Sequence, residues 1–152
     1  MALEIVGGDV FNAISDKRCI FAHGVNAQGV MGSGVAAIVK KLYPYAYTKY
    51  KESKKAKTLK LGSVELAYVP ESYVVVANAV TQEFYGRENK RYVSYDAVVD
   101  SLSVVASMAK DLDLPVYMPM IGGGLGGGDV KRLTAIMQAV FHDVEAYLYI
   151  QD

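Results

Sequence analysis

Two glycine-rich runs are the part of the sequence with the clearest chemical meaning. They are Gly29–Gly34, which reads Gly-Val-Met-Gly-Ser-Gly, and Gly122–Gly128, which has six glycines in seven positions. A tight turn needs only one or two glycines, and a glycine lets backbone N–H groups approach a ligand without a Cβ in the way. Phosphate is the anion that such N–H groups favour at the start of a helix. The two runs therefore predict two phosphates, or one diphosphate held from both sides, with flexible connection as the alternative.

The elements around both runs support the phosphate interpretation. Cys19–His23 is a nearly all-apolar strand before the first run, and a helical stripe of apolar residues begins at Val35 after it. Pro115–Met120 is a strand before the second run, and Asp129 is a helix N-cap after it. In α/β sheets, ligands bind where strands end and helices begin. We therefore expect both runs at the ligand-binding edge of one sheet.

The rest of the chain alternates strands with helices, which predicts the α/β class with helices on both faces of the sheet. The turn Pro70-Glu71-Ser72 separates two β-branched stretches, so they form a hairpin and make the sheet mixed, not wholly parallel. The further strands are expected at Leu3–Val6, Ser63–Val69, Tyr73–Val80 and Ala146–Ile150, and the further helices at Tyr45–Lys55 and after the N-cap Ser94.

Composition excludes several classes of protein. The chain has 152 residues, which fits one domain spanning 1–152, and its 16 basic residues are balanced by 16 acidic ones. That balance argues against affinity for nucleic acid through general neutralisation of phosphates. One cysteine excludes an intrachain disulfide, and two histidines and one cysteine at unrelated spacing predict no zinc site. The N-terminus lacks a signal peptide and no apolar stretch is long enough to span a membrane, so we expect a monomeric cytoplasmic protein.

A dinucleotide cofactor is the main competitor for the second run. Gly122, Gly124 and Gly127 satisfy the pattern GxGxxG. That fingerprint belongs in the first βαβ unit, with an acidic residue at the end of the next strand. Here the run comes late in the chain, and the strand after it is the last one. We therefore expect no nicotinamide chemistry and no cofactor.

Three motifs follow strand ends in order along the chain: Gly7-Gly8-Asp9-Val10, Asn26–Gly29 with Gly32–Ala36, and Met118–Gly127. Together they resemble the motifs of the macrodomain family, and the resemblance covers essentially the whole chain. The resemblance implies a three-layer α/β/α macrodomain with a mixed central sheet, and ADP-ribose or a derivative as the ligand. It also implies that Asp9 accepts a hydrogen bond from the adenine amino group and that the distal ribose lies near Asn26. The ligand-binding residues carried over are Gly8, Asp9, Val10, Asn26, Gly32, Ser33, Gly34, Val35, Ile121, Gly122, Gly123, Gly124, Leu125, Gly126 and Tyr149.

The run Gly32–Pro44 is typical of the branch that contains ADP-ribose-1''-phosphate phosphatases and ADP-ribosyl hydrolases, so hydrolysis of ADP-ribose-1''-phosphate is the predicted activity. Asn26 is expected to orient the distal ribose hydroxyls, with a turn residue as its alternative. His23 is a general acid or base, or else a buried core residue. Asp129 is foremost a helix N-cap, and secondarily a group that orients water. The alternatives to this enzyme are a non-catalytic ADP-ribose-binding module and a hydrolase acting on ADP-ribosylated protein or nucleic acid.

Two departures from this branch weaken the prediction of catalysis. Some of its hydrolases carry a lysine just after the fourth strand and form a covalent adduct with the opened ribose, whereas this chain has Gln82 there. They also use an aspartate right after the Gly-Leu of the second motif, where this chain has Gly126. Glutamine cannot form an imine, so the adduct mechanism is not expected.

Two aromatic features of the sequence each allow more than one role. Tyr149 either stacks on adenine, as an aromatic residue at this end of the family often does, or fills the core or edge of the last strand. The cluster of Arg87, Lys90 and Arg91 with Tyr85 and Tyr92 is either a solvated loop, a surface that stacks single-stranded nucleic acid, or a flap over the distal ribose.

Overall fold

The computed structural model describes residues 3–151, which fold around one six-stranded sheet. Strands and helices alternate for most of this length, and the only direct strand-to-strand connection within it is the hairpin after the third helix. The strands are β1 (Leu3–Gly7), β2 (Cys19–Asn26), β3 (Val64–Tyr68), β4 (Val74–Gln82), β5 (Val116–Pro119) and β6 (Ala146–Ile150). The helices are α1 (Val10–Ile14), α2 (Gly34–Leu42), α3 (Pro44–Lys55), α4 (Tyr95–Leu112) and α5 (Val130–Val140).

The strand order across the sheet is β1-β6-β5-β2-β4-β3. The pairs from β1 through to β4 are parallel, and β3 pairs antiparallel with β4, with Leu66 opposite Ala77. This confirms the mixed sheet and the hairpin predicted from the sequence. Since the carboxyl ends of parallel strands share one edge, the segments after β1, β5, β2 and β4 all emerge there.

Two apolar layers sandwich the sheet. One face packs against α4 and α5, where Leu102 and Leu133 are fully buried. The other face packs against α1, α2 and α3, through residues such as Ile14, Val39 and Ala46. Burial of this apolar surface on both faces is the main term that stabilises the fold. It also explains why β2 and β4 are almost continuously apolar rather than alternating.

Two elements differ from the sequence prediction. The helix α1 was not expected, because five residues are too few to show a helical period. Its N-cap is Asp9, whose Oδ1 accepts a hydrogen bond from Phe11 N at 2.9 Å. The strand β2 runs on through Gly24 and Val25 to Asn26, which was assigned to the loop, because these residues continue the pairing with β4 across a bulge at Val25/Asn26.

The helices within residues 3–151 include none long and apolar enough to cross a membrane.

Candidate ligand-binding site

A cavity of about 760 Å³ opens at the carboxyl ends of β2, β4 and β5. Both glycine runs contribute to its wall, which confirms that they meet at one edge of the sheet. Its size is within the range of clefts that hold small ligands. Of the residues predicted to bind ligand, the wall contains Asn26, Gly32, Ser33, Gly34, Val35, Ile121, Gly122, Gly123, Gly124, Leu125 and Gly126.

The first loop is shaped by Asn26, at the end of β2. Its Oδ1 accepts hydrogen bonds from the backbone N–H groups of Gln28 at 3.0 Å and Val30 at 3.4 Å, and its Nδ2 donates to Val30 O at 2.9 Å. The hydroxyl of Tyr50, on α3, lies 2.5 Å from Asn26 O and accepts from Gly29 N at 3.1 Å. Asn26 therefore acts first as an Asx-type organiser of the loop, which was the alternative reading of this residue.

Unpartnered backbone N–H groups follow at the start of α2. Ser33 is the N-cap by position, but its side chain makes no capping hydrogen bond. Within the described residues, the N–H groups of Gly34, Val35 and Ala36 have no hydrogen-bond acceptor, as is usual in the first turn of a helix. The Ser33 hydroxyl and these N–H groups lie at the cavity wall and are free to donate to an anion.

The second loop presents a matching set of donors. Its fold is fixed by hydrogen bonds from Gly128 N to Gly122 O at 2.9 Å and from Gly126 N to Gly123 O at 3.1 Å. The N–H groups of Gly123, Gly124 and Leu125 find no acceptor in the part of the chain that the structure describes. At Gly124, φ is +56° and a Cβ would meet no atom within 4 Å, so the backbone is approachable from outside.

His23 lies in β2 and is fully buried, although it contributes to the cavity wall. Its Nε2 is 2.6 Å from Asn78 Oδ1, and its ring stacks on Phe21 at a centroid distance of 5.8 Å. Burial lowers the pKa of the imidazole to about 4, and the hydrogen bond with Asn78 opposes this shift only in part. The ring is neutral at neutral pH, and its Nδ1 has no partner among residues 3–151. It cannot serve there as a protonated general acid.

Several predicted site residues lie outside the cavity wall. Gly8, Asp9 and Val10 follow β1, two strands from β5, and Gly8 N donates to Ile150 O at 3.1 Å, beside Tyr149 on β6. Tyr149 is half-buried and stacks on Tyr117 at a centroid distance of 6.0 Å, which fits the alternative of a sheet-packing residue. The exposed Asp129 also lies outside the wall and caps α5 by accepting from Lys131 N at 3.2 Å, as its foremost prediction stated.

The segment 83–92 contributes to the cavity wall, a position that the resemblance did not assign to it. Tyr85, Gly86 and Arg87 line the cavity, so this part of the basic-aromatic cluster has the position expected of a flap. The sequence indicated this position only through the cluster of Arg87, Lys90 and Arg91 with Tyr85 and Tyr92, for which a flap was one of three alternatives. The wall also contains residues that were not predicted to bind ligand, namely Gly24, Val25, Val30, Ala36, Thr81, Gln82, Pro119 and Met120.

Comparison with known proteins shows which proteins this chain resembles in sequence and in fold. No protein-family model matches the chain. An ADP-ribose 1''-phosphate phosphatase of Meyerozyma guilliermondii is 32% identical over 110 residues, which are 72% of this chain and 61% of that relative's length. One of Lodderomyces elongisporus is 27% identical over 90% of this chain and 91% of its own. A macrodomain protein from Streptomyces coelicolor superposes with a TM-score of 0.79 at 27% identity, covering 99% of this chain and 98% of its own. The chain has the macrodomain fold and resembles macrodomain proteins in sequence.

The cavity of this macrodomain has no reactive side chain at the two positions where some relatives of the branch carry one. Gln82 uses its Nε2 to donate to Phe84 O at 2.7 Å, so its amide holds the start of the segment 83–92. Gly126 is buried, and a Cβ there would stand 3.4 Å from Gln82 Oε1. In the described part of the macrodomain, no three His, Cys, Asp or Glu residues are grouped so as to hold a metal ion.

Proposed function

We propose that this macrodomain binds ADP-ribose, with the diphosphate held between the two glycine loops. The observation that carries the proposal is the presence of two sets of unpartnered backbone donors in the wall of one cavity, at Gly34–Ala36 and at Gly123–Leu125. Oriented backbone N–H groups at a helix start and in a glycine loop bind phosphate without formal positive charge. This suits a cavity in which most lining residues are apolar or glycine. The names of the two curated relatives, ADP-ribose 1''-phosphate phosphatases, support the same ligand.

The adenine end is proposed to lie outside the cavity proper, along the same edge of the sheet. Asp9 follows β1 and has one carboxylate oxygen, Oδ1, engaged in capping α1, so its other oxygen is available to accept from the adenine amino group. Gly8 and Val10 flank it, and Tyr149 lies on the neighbouring strand. The ligand then extends from β1 across β6 and β5 to β2, where Asn26 adjoins the distal ribose.

Hydrolysis of ADP-ribose-1''-phosphate is the reaction we propose for the bound ligand. Water forms a bond to phosphorus while the bond from phosphorus to the 1''-oxygen breaks, and a proton from that water ends on the ribose hydroxyl. Loop N–H groups stabilise the negative charge on the phosphoryl oxygens. Asn26 Nδ2 has a second hydrogen that no described residue accepts, and His23 Nδ1 is a neutral acceptor for water. Asp129 takes no part in the proposed step, because it caps α5 and lies outside the cavity wall.

A binding module without turnover is the second candidate, and one observation favours it. The amide of Asn26 is largely committed to its own loop, and the pKa of His23 of about 4 makes this ring a weak base. Gln82 and Gly126 supply no replacement for these groups. A module of this kind would bind ADP-ribose as described and release no phosphate.

Phosphate release from ADP-ribose-1''-phosphate separates the two candidates. The enzyme account expects continuous turnover that drops at least about 100-fold in His23→Ala if that ring takes part as a base. Asn12→Ala, a change on the solvent side of α1, is a control that leaves turnover unaltered. An absence of turnover together with tight ADP-ribose binding would establish the binding module, whereas full turnover in His23→Ala would remove His23 from the chemistry.

A further inference from the structure

Arg87 differs in charge from the rest of the described cavity wall. Among the described residues that form the wall, it is the only one with a charged side chain at neutral pH, because the buried His23 is neutral. Its guanidinium makes no ion pair and no hydrogen bond with any residue in 3–151. A free guanidinium beside a cavity is a ready partner for a phosphate, which it can bind with two parallel N–H donors.

The segment that carries Arg87 is tied down at both ends. Gln82 forms a bridge with Val93, and the N–H groups of Tyr92 and Val93 donate to Gly126 O at 2.8 and 3.0 Å. The space beside Gly86, where a side chain would project, is filled by the hydroxyl of Tyr92. The segment is thus fastened directly to the second glycine loop, and Arg87 lies at the cavity wall between its two fixed ends.

The neighbouring carboxylates do not neutralise Arg87. Glu88 is next to it in the chain, but its Oε2 pairs with Lys90 Nζ at 3.2 Å. Glu83 is exposed and forms no ion pair with any described residue. The positive charge of Arg87 is therefore available to a ligand.

The order of strands gives this charge a place along the ligand. This step rests on the proposed function, in which ADP-ribose runs from Asp9 after β1 to Asn26 at the end of β2. In the sheet, β4 lies on the far side of β2 from β5 and β1. Arg87 follows β4, so it stands beyond the distal ribose, at the end where a 1''-substituent is attached. The diphosphate, held at the β5 and β2 loops, lies one strand further back.

We propose that Arg87 is a specificity-determining residue that selects ADP-ribose derivatives carrying a phosphoryl group on the distal ribose over ADP-ribose itself. The guanidinium binds the dianionic substituent, which ADP-ribose lacks, and contributes little to the adenosine and diphosphate portions. Discrimination in this macrodomain then comes from one side chain on the segment 83–92, while the glycine loops supply the affinity common to both ligands.

The test compares two ligands by calorimetry: ADP-ribose, and its 1''-methylenephosphonate analogue, in which a carbon replaces the ester oxygen so that no hydrolysis occurs. The variants are Arg87→Gln, Arg87→Lys and the matched control Arg91→Gln, which removes one positive charge from the same segment outside the cavity wall and leaves the Lys90–Glu88 ion pair intact. We expect Arg87→Gln to raise the Kd of the phosphonate by about 10-fold or more and that of ADP-ribose by less than about 2-fold. Arg87→Lys should fall between, because lysine keeps the charge and loses the two-donor geometry.

The outcomes distinguish the two proposals. If the unaltered protein binds ADP-ribose and Arg87→Gln weakens both ligands equally or neither, the role of Arg87 is overturned and the proposed function stands. If Arg91→Gln reproduces the selective loss, the effect is general electrostatics and the specific role is likewise overturned. If the unaltered protein binds neither ligand, the proposed function fails first and the role of Arg87 with it.

Discussion

His23 Nε2 lies 2.6 Å from Asn78 Oδ1, and these two residues are directly paired across β2 and β4. The Asn78 amide is itself oriented, because its Nδ2 donates to Ala46 O on α3 at 3.2 Å. Asn78 Oδ1 is therefore the acceptor, and His23 Nε2 carries the hydrogen. His23 Nδ1 is then the nitrogen without a hydrogen, and burial of the ring favours this neutral form.

The first prediction concerns stability and pH. Burial lowers the pKa of His23 from its ordinary value of 6.5 to about 4, so between these values the unfolded chain binds more protons than the folded one. The contribution of the neutral His23 to the free energy of unfolding is fully present above about pH 6.5 and is lost as the pH falls towards 4. Between pH 7 and pH 5 the loss amounts to about 2 kcal/mol in the free energy of unfolding, as measured by urea denaturation.

The variant His23→Gln serves as the comparison, because it keeps a polar side chain and cannot titrate. It should be less stable at pH 7, and its free energy of unfolding should change by about 2 kcal/mol less than that of the unaltered protein between pH 7 and pH 5. Parallel pH dependence in the two proteins would show that His23 is not kept neutral by the fold.

The second prediction concerns the hydroxyl that holds the first loop. Tyr50 is fully buried, and removal of its hydroxyl in Tyr50→Phe leaves Gly29 N and Asn26 O without this partner. We expect a loss of about 1–3 kcal/mol in the free energy of unfolding, and weaker ADP-ribose binding because the loop is less ordered. Tyr47→Phe is the control on the same helix, since the Tyr47 hydroxyl has no hydrogen bond to any described residue. Equal effects in both variants would contradict this role.

The third prediction separates backbone strain from ligand contact. Gly124 has φ +56° and lines the cavity, whereas Gly62 has φ +89° and lies outside it. Either Gly→Ala change should cost about 1–2 kcal/mol of stability, because alanine disfavours positive φ. Only Gly124→Ala should also raise the Kd for ADP-ribose, by about 10-fold, since its Cβ keeps a phosphate from the loop donors. Unaltered affinity in Gly124→Ala would argue against the loop as the diphosphate site.

The fourth prediction tests Asp9, which both caps α1 and is proposed to accept from adenine. Asn is as good an N-cap as Asp, so Asp9→Asn should leave the free energy of unfolding within about 0.5 kcal/mol. It replaces the free carboxylate oxygen with an amide NH₂, which cannot accept from the adenine amino group. The Kd for ADP-ribose should rise by about 10-fold while that for ribose 5-phosphate stays constant. A parallel change for both ligands would place adenine elsewhere.

Much of the fold and of the glycine loops could be predicted from local sequence signals. Strand runs, the N-caps Ser94 and Asp129, and the hairpin turn are short-range features, and each is found where expected, except that β2 and β4 extend beyond their predicted ends. The helix α1 was missed because its five residues carry no period, and its only signal is a cap residue already assigned to the ligand.

The site was less predictable wherever a residue's role depends on contacts distant in sequence. The commitment of Asn26 to its own loop involves Tyr50, 24 residues away, and the tautomer of His23 depends on Asn78, 55 residues away. The position of Arg87 at the cavity follows from the attachment of the segment 83–92 to Gly126. None of these pairings has a periodic or local signal, so the sequence left the alternatives for each residue open.

Calorimetric titration with ADP-ribose tests the central claim, that two glycine loops form one diphosphate-binding cavity. The claim predicts saturable binding with one site per chain at micromolar ligand, and a loss of about 10-fold or more in affinity when either loop is altered, in Gly34→Val or Gly124→Val. Gly62→Val, outside the cavity, should bind like the unaltered protein. Absence of binding at millimolar ADP-ribose, or affinity unaffected by both loop variants, would contradict it.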